Sequence, residues 1–396
     1  YCIEYKVSKS FSKFDIINYC IEKSIDTIFV GPEGPLADGV ADLAEMNLIK
    51  CIGPKKEHAK IESSKIWARK IIDKIDSKYN PFYFTKYNNK DIEFNNLCDA
   101  FPEKSVIKSD GLKGGKGVYV QDDHFESIED GFEICLNLME KKEDFLIEEK
   151  LYGDEFSVFT FTDGNNCLHT IPVIDFKRAY DNDKGPNTGG MGSISFYDSE
   201  YDSYLPDFLN EEQYNESCNL NERVIEYLQT VNDCPYKGIL YGSYILTKNG
   251  LKVIEFNSRF GDSECINILS ILKTPLSEIV KNINNDTLDK IDKLEFEKKA
   301  TVCCYLVPNG YPEQPSKGTK VKKNVPNPET LIYSSIDENY CQLGSRTLAV
   351  IGKSETLRGA KDIVNRNVNS IYGDLYYRGD FILNKFSYEK SGVNID

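Results

Sequence analysis

The sequence predicts a multidomain chain of mixed α/β and α+β class. A partial parallel α/β unit comes first, then a central domain built round a glycine-rich β-hairpin flap, then a small α+β domain. Three observations carry this. Residues 14–53 alternate helix, strand, helix, strand with apolar strands, the pattern of a parallel unit. Residues 106–120, VIKSDGLKGGKGVYV, set four glycines between two short apolar strands. From about residue 292 the alternation gives way to strands and a single helix. The expected divisions are 1–57, 58–291 (with a flap subdomain over about 66–145), 292–385, and a linker at 386–396.

Apolar residues make up 40% of the 396 and charged residues 28%, enough to bury cores and solvate a surface. The net charge of −15 comes from scattered acidic residues, which argues against a nucleic-acid binder with its basic stripe. No apolar run approaches membrane-spanning length, so no membrane partner is expected. The 12 cysteines include no Cys-x-x-Cys, which leaves zinc and thioredoxin-like readings without support and fits reduced thiols in the cytoplasm. The chain begins at Tyr1, which leaves room for residues upstream.

In order, residues 14–24 have helical spacing and lead into the strand run IDTIFVG. A helix over about 36–46 and a short strand into Gly53 complete the first unit. Gly31, Pro32 and Glu33 then stand at a strand's carboxyl end, where parallel sheets bind ligands, although Gly-Pro also makes a plain turn. Residues 58–76 read as one helix carrying Lys65, and 82–100 as a strand and a helix.

In the flap, Gly111, Gly114, Gly115 and Gly117 let backbone amides approach a polyanion, and Lys108, Lys113 and Lys116 add charges suited to phosphate. Gly117 stands where a Walker loop carries Ser or Thr, and a strand follows instead of a helix. The expected geometry is a hairpin closing over a nucleotide triphosphate; an ordinary surface hairpin is the alternative. Residues 127–142 read as a helix and 145–164 as two strands about a turn. Within the latter, 147–151 offers alternating amides and carbonyls to an adenine edge, or is simply a charged strand end.

Residues 173–195, VIDFKRAYDNDKGPNTGGMGSIS, follow no regular period, and so long a polar loop in a compact domain is more often functional than not. After a helix over 211–229 come ILYGSYILT and LKVIEFN, joined by the Lys248-Asn249-Gly250 hairpin turn. On the second strand Ile254 and Phe256 share one face and Glu255 and Asn257 the other. Oxygen ligands so spaced suit Mg²⁺; a solvent-facing polar edge is the weaker alternative. Arg259, Asp262 and Glu264 follow. In the last unit ATVCCYLV and TLAVIG read as strands and 355–371 as a helix. Of the histidines, His58, His124 and His169, none sits in a motif.

Flap, charged strand end and same-face Glu and Asn occur in an order that resembles the ATP-grasp superfamily. Within it, the chain looks like the glycinamide ribonucleotide synthetases of purine biosynthesis. VGPEGPLADG, SSKIWARK, VIKSDGLKGGKGVYV, IEEKLYGDEFSVF, DKGPNTGGMGSIS, VIEFNSRFGDSE and YYRGD stand in that family's order across residues 14–382.

The resemblance implies ATP-dependent ligation of glycine to 5-phosphoribosylamine through a glycyl phosphate, with ATP and Mg²⁺ (or Mn²⁺) as cofactors. It places Lys65, Lys108, Gly114, Gly115 and Gly117 on the ATP phosphates, with Arg178 and Asn187 nearby. Glu148, Glu149, Lys150 and Leu151 fall to adenine and Glu155 to the ribose, while Glu255 and Asn257 take the metal. Arg259 and Lys108 become the catalytic cations. Gly31, Pro32, Glu33, Asp175, Lys177, Pro186, Thr188, Gly189, Gly190 and Met191 fall on the substrate side.

There are departures. Nothing before Phe14 matches the family's opening strand and glycine-rich loop, so the first unit is expected to be incomplete. Lys113 replaces a small residue, a change expected to be tolerated. FSYEKSGVNID (386–396) resembles the opening of aminoimidazole ribonucleotide synthetase, which implies a fused downstream purine enzyme; a simple polar tail is the alternative. The rival functions are another ATP-grasp carboxylate–amine ligase, against which PNTGGMG argues, and a non-catalytic nucleotide-binding module, against which the intact lysines and metal ligands argue.

Overall fold

The computed structural model describes residues 4, 6–7, 11–86, 101–114 and 117–380. The expectations placed on Gly115, Lys116, most of 82–100 and the 386–396 segment lie outside these residues. Near the N terminus, strands Thr27–Phe29 and Lys50–Ile52 pair in parallel, as the helix–strand alternation requires. Helix Lys13–Glu22 opens on a capping box of Ser12 and Asp15. Where one helix was expected at 36–46 there are two, Glu33–Asp38 and Val40–Met46. Gly39 divides them at φ +91°, a conformation that a side chain disfavours.

The expected 58–76 helix is likewise two, Lys56–Ser63 and Lys65–Asp76. Ser64 breaks them apart. It turns extended and its hydroxyl accepts from the Trp67 amide at 3.2 Å, so it serves as N-cap to the second helix. Lys65 is therefore a first-turn residue at a fixed helix start, and Ile66, Ile71 and Ile72 carry the buried face.

Two antiparallel sheets form the central domain. The flap sheet runs Tyr83–Lys86, Phe145–Glu149, Ser105–Ser109, Val118–Val120 in spatial order, closed by helix Ile128–Glu140, whose Cys135 and Leu138 join Ile107, Phe145 and Ile147 in one core. The second runs Gly250–Asn257, Gly238–Thr247, Asp154–Thr162, Cys167–His169. The two strands expected about a turn at 145–164 thus belong to different sheets, and residues 150–153 bridge them. Helix Glu211–Asn232 packs its Val224, Ile225 and Leu228 face onto the second sheet.

The 173–195 stretch is more regular than its composition suggests. It contains strands Ile174–Asp175, Arg178–Tyr180, Lys184–Asn187 and Gly192–Ser195. The middle two form a small hairpin, and Gly192–Ser195 pairs with Ala300–Pro308. The C-terminal sheet, which continues through Leu348–Ser354 under helix Leu357–Val368, therefore takes strands from both sides of residue 292. One core runs unbroken from Tyr236 and Leu228 to Val302, Val350 and Val364.

At the edge of the second sheet, His169 Nε2 meets Glu222 Oε1 at 2.9 Å and its Nδ1 meets Thr160 Oγ1 at 2.9 Å. Burial opposes the protonated ring, but the Cys218 sulfur and the Glu222 carboxylate outweigh it and raise its pKa to about 9. A raised value stabilises the fold below the unfolded pKa of about 6.5 and loses that stabilisation as pH rises through 9. Because Glu222 is half exposed, the loss should be only about 1 kcal/mol. Urea titrations at pH 6.5 and 9.5 should show that drop in the native chain and not in His169→Gln; an equal drop in both assigns it elsewhere.

Candidate active site

Flap sheet, second sheet, N-terminal unit and C-terminal sheet meet round one cavity of about 1220 Å³. Its walls carry nearly every residue singled out in the sequence, among them Gly31, Pro32, Glu33, Glu255, Asn257 and Arg259.

Lys108 projects from strand Ser105–Ser109 and is almost fully enclosed. Its ammonium lies 2.5 Å from Glu148 Oε2, and Glu148 Oε1 accepts from Arg69 Nε at 2.6 Å. Burial pulls the Lys108 pKa down, with Glu148 acting against it. Glu148 is thus a buried counter-ion for two cations on the cavity wall. The Glu149 and Lys150 amides donate within the fold, to the Phe82 carbonyl at 2.9 Å and the Lys104 carbonyl at 2.8 Å.

The flap is tethered at its root. Asp110 accepts from Ser64 Oγ at 2.9 Å and from the Ile66 amide at 3.1 Å, and Lys65 Nζ donates to the Gly111 carbonyl at 3.0 Å. Gly111 and Gly114 sit at φ +90° and +56°, where glycine is at ease. Lys113 pairs with Glu143 at 2.8 Å.

Strand Gly250–Asn257 shifts register between its pairs to Ser243 and Tyr244, leaving Ile254 as the extra residue of a β-bulge. The expected sharing of a face by Ile254 and Phe256 therefore fails: Val253 and Phe256 enter the core, while Glu255 and Asn257 line the cavity. Burial disfavours the Glu255 carboxylate, but Lys177, Lys65, Lys108 and Arg259 hold its pKa below the usual range. Lys177 Nζ stands 4.0 Å from Glu255 and 3.6 Å from Asp175. Enclosure also lifts the pKa of Glu155, on the same wall. Both glutamates remain reached by solvent through the cavity, which softens these pulls.

Arg259 is held by Glu62, Nη2 to Oε1 at 2.7 Å, and Nη1 donates to the Phe260 carbonyl at 3.0 Å. Its buried Nε has no hydrogen-bond partner among the described residues, with Glu33 Oε2 3.5 Å away. Arg178 pairs with Asp123 and donates to the Gly185 carbonyl at 2.8 Å, which ties the loop hairpin to the flap sheet. Arg378, from YYRGD, is fully buried beneath that hairpin. It bonds Asp380, Asp183 at 2.9 Å and the Arg178 carbonyl at 3.0 Å.

Asn187, Thr188 and Gly189 line the cavity; Pro186, Gly190 and Met191 do not. Met191 is completely buried against Cys303 and Tyr305, its amide donating to the Phe176 carbonyl at 2.7 Å and its carbonyl accepting from the Tyr305 amide at 2.9 Å. Gly190 sits at φ +111°, and a Cβ there would lie 3.1 Å from the Asp262 carbonyl oxygen, so its role is to let two segments meet. Arg346 clamps that junction, donating to the carbonyls of Gly189 and Asp262, both at 2.6 Å.

Sequence reasoning passed over Glu62, Arg69, Tyr241 and Arg346, and it left Glu264 without a role. Helical spacing was a usable signal for Arg69, four residues after Lys65 on one face. Glu264, nearly buried, accepts from Tyr241 OH at 3.0 Å, and burial with the Asp175 charge raises its pKa to about 7.

Glu255 and Asn257 fit a divalent cation: both are hard oxygen donors, and the neighbouring cations keep Glu255 ionised.

Comparison with known proteins agrees with this geometry. The chain matches three families described as phosphoribosylglycinamide synthetase: the N domain over 3–62, the ATP-grasp (A) domain over 63–265 and the C domain over 301–382. It is 38% identical over 381 residues to a phosphoribosylamine–glycine ligase of Methanocella arvoryzae, covering 95% of this chain and 86% of that one. The ligase of Methanococcoides burtonii is 39% identical over 384 residues, with 96% and 86% covered. The crystal structure of the Thermotoga maritima ligase superposes with a TM-score of 0.69 at 26% identity, covering 84% of this chain and 81% of that one. Biotin carboxylase from Campylobacter jejuni, solved as a β-γ-ATP complex, shares the fold at 15% identity, with a TM-score of 0.70 and 94% and 80% covered. The chain therefore belongs to the phosphoribosylglycinamide synthetase family of ATP-grasp ligases.

Proposed function

We propose that the cavity binds Mg·ATP, glycine and 5-phosphoribosylamine together and joins the last two through a glycyl phosphate. The chain is an ATP-dependent ligase of purine biosynthesis; the residue roles are what is proposed. One observation carries them: flap, Lys65, Lys108, Glu255, Asn257 and Arg259 all line a single cavity, although they come from three separate stretches of chain.

Lys65 and Lys108 hold the ATP phosphates beneath the flap. Adenine rests against the 149–151 strand end, where the Leu151 amide has no acceptor among the described residues and is left for a base edge. Glu155 faces the ribose. Glu255 and Asn257 hold the divalent cation, Mg²⁺ or Mn²⁺, which neutralises phosphate charge and polarises the γ-phosphoryl when bound. Arg178 and Asn187 border the phosphates, with Arg178 fixed by Asp123.

A glycine carboxylate oxygen attacks the γ-phosphorus, forming the acyl phosphate and releasing ADP. The phosphoribosylamine nitrogen then attacks the acyl carbon, expels phosphate and loses one proton. Arg259 faces the charge that develops on the transferring phosphoryl and on the acyl oxygens. Asp175, Lys177, Thr188 and Gly189 shape the substrate side, and Gly31, Pro32 and Glu33, the last beside Arg259, border it. Positioning and charge neutralisation dominate, so no protein nucleophile is required.

Release of ADP should require glycine and freshly generated phosphoribosylamine together, each omission lowering it about 100-fold or more. ADP formation indifferent to either co-substrate overturns the assignment.

Among the described residues no helix is long and apolar enough to cross a membrane, consistent with a cytoplasmic ligase. The 386–396 resemblance supports a fused downstream synthetase. A stop codon directly after Asp396 sinks that reading.

A further inference from the structure

We propose that Arg69 is the positioning residue that holds the phosphate lysine and the metal-binding strand in register, a role that rests on Mg·ATP occupying this cavity. Its guanidinium is almost wholly buried, and its donors go to three different segments. Nε meets Glu148 Oε1 at 2.6 Å on strand Phe145–Glu149. Nη1 donates to the Val253 carbonyl at 2.8 Å and to Asn80 Oδ1 at 3.4 Å. Nη2 donates to the Ile254 carbonyl at 2.8 Å.

Those two carbonyls belong to the bulge directly before Glu255. A bulge takes backbone groups off the regular ladder and re-aims the side chains after it, so what fixes its carbonyls also fixes the direction of Glu255 and Asn257. On its other side Arg69 pins Glu148, whose second oxygen holds Lys108 at 2.5 Å. Lys65 lies four residues earlier on the same helix face. One side chain therefore connects a helix start, a flap-sheet strand and a metal-binding strand. Asn80 secures it in return, donating Nδ2 to the Arg69 carbonyl at 2.8 Å.

The planar fork of arginine suits this task. It reaches two successive carbonyls and a carboxylate at once, which the point charge of lysine cannot do. Arg69 forms no part of the proposed chemistry, so its loss should be read in how phosphate and metal are held rather than in how glycine is held.

The test is Arg69→Lys in the full chain, with KM for Mg·ATP, Mg²⁺ half-saturation, KM for glycine, affinity for Mg·AMP-PNP and Tm all measured. Expected are rises of about 10- to 100-fold in the Mg·ATP and Mg²⁺ constants, as for lost outer supports of metal ligands, with the glycine constant moving less than about twofold. Wild-type Mg·ATP and Mg²⁺ constants in Arg69→Lys overturn the proposal. So does a uniform fall in kcat with every KM unchanged, which is the mark of a purely structural residue. Should Arg69→Lys fail to fold, Glu148→Gln keeps the shape while weakening the link to Lys108. It should raise the Mg·ATP constant alone, and an unchanged constant in that folded variant overturns the proposal. A native chain that binds no Mg·AMP-PNP sinks the assignment of ATP to this cavity, and the Arg69 role with it; normal binding by the native chain and by Arg69→Lys sinks only the latter.

Discussion

Glu255→Ala is expected to abolish ligation while leaving the fold intact, with glycine-dependent ADP release falling by about 10³-fold or more. Glu255 is the carboxylate toward which Lys177, Lys65, Lys108 and Arg259 all direct positive charge, and those cations keep it ionised despite its enclosure. Its side chain opens to the cavity rather than to the core, so little packing is lost and Tm should move by only a few degrees. Removing the carboxylate leaves the four cations with less opposing charge. Metal-free ATP should therefore bind at least as tightly as to the native chain, while activation by Mg²⁺ or Mn²⁺ disappears. This split separates a metal ligand from a general supporting residue, whose loss would weaken both. Glycine-dependent turnover at a tenth or more of the native rate would remove Glu255 from the metal site.

Legibility in the sequence followed the range of the interactions involved. The flap was readable because four glycines and three lysines between two apolar strands are a local pattern with a local consequence. The Asn-Gly hairpin and the helix Ile128–Glu140, opened by the Ser127–Asp130 capping box, are local in the same way. What escaped was set by partners far along the chain. That Glu148 is a counter-ion for Arg69, 79 residues away, could not be read from the charged strand end alone. The 173–195 stretch looked irregular because its strands are very short and find their partners in one another and in Ala300–Pro308. Met191, in a motif of glycines and polar residues, is core because it leads directly into Gly192–Ser195, a strand of the C-terminal sheet, and packs against that sheet's Cys303 and Tyr305. Ser64 illustrates a milder failure: helical periodicity continues across it, and only the cap shows that the chain restarts there.

Arg259→Ala should lower kcat by about 10²- to 10³-fold, the usual cost of losing one preorganised donor at a developing charge, with a smaller effect on the Mg·ATP constant. The side chain is prepared for such a role. Glu62 grips one terminal nitrogen at 2.7 Å and is itself fixed by the Ser258 amide at 2.8 Å and hydroxyl at 3.1 Å. The Phe260 carbonyl takes the other nitrogen, while Nε stays buried on the cavity wall without a hydrogen bond. Nε faces the Glu33 carboxylate at 3.5 Å but makes no hydrogen bond to it, and a buried donor short of a hydrogen bond costs free energy that is recovered when an oxyanion arrives beside it. Lysine cannot satisfy Glu62, the Phe260 carbonyl and an oxyanion from a single point, so Arg259→Lys should recover less than about a tenth of the lost rate. Glu62→Gln, which keeps the side chain's shape but weakens its hold on Arg259, should lower kcat by about 10-fold and leave the Mg·ATP constant nearly unchanged. If Arg259→Ala turns over within tenfold of the native chain, charge on the transferring phosphoryl must be met elsewhere, with Lys108 the remaining cation to test.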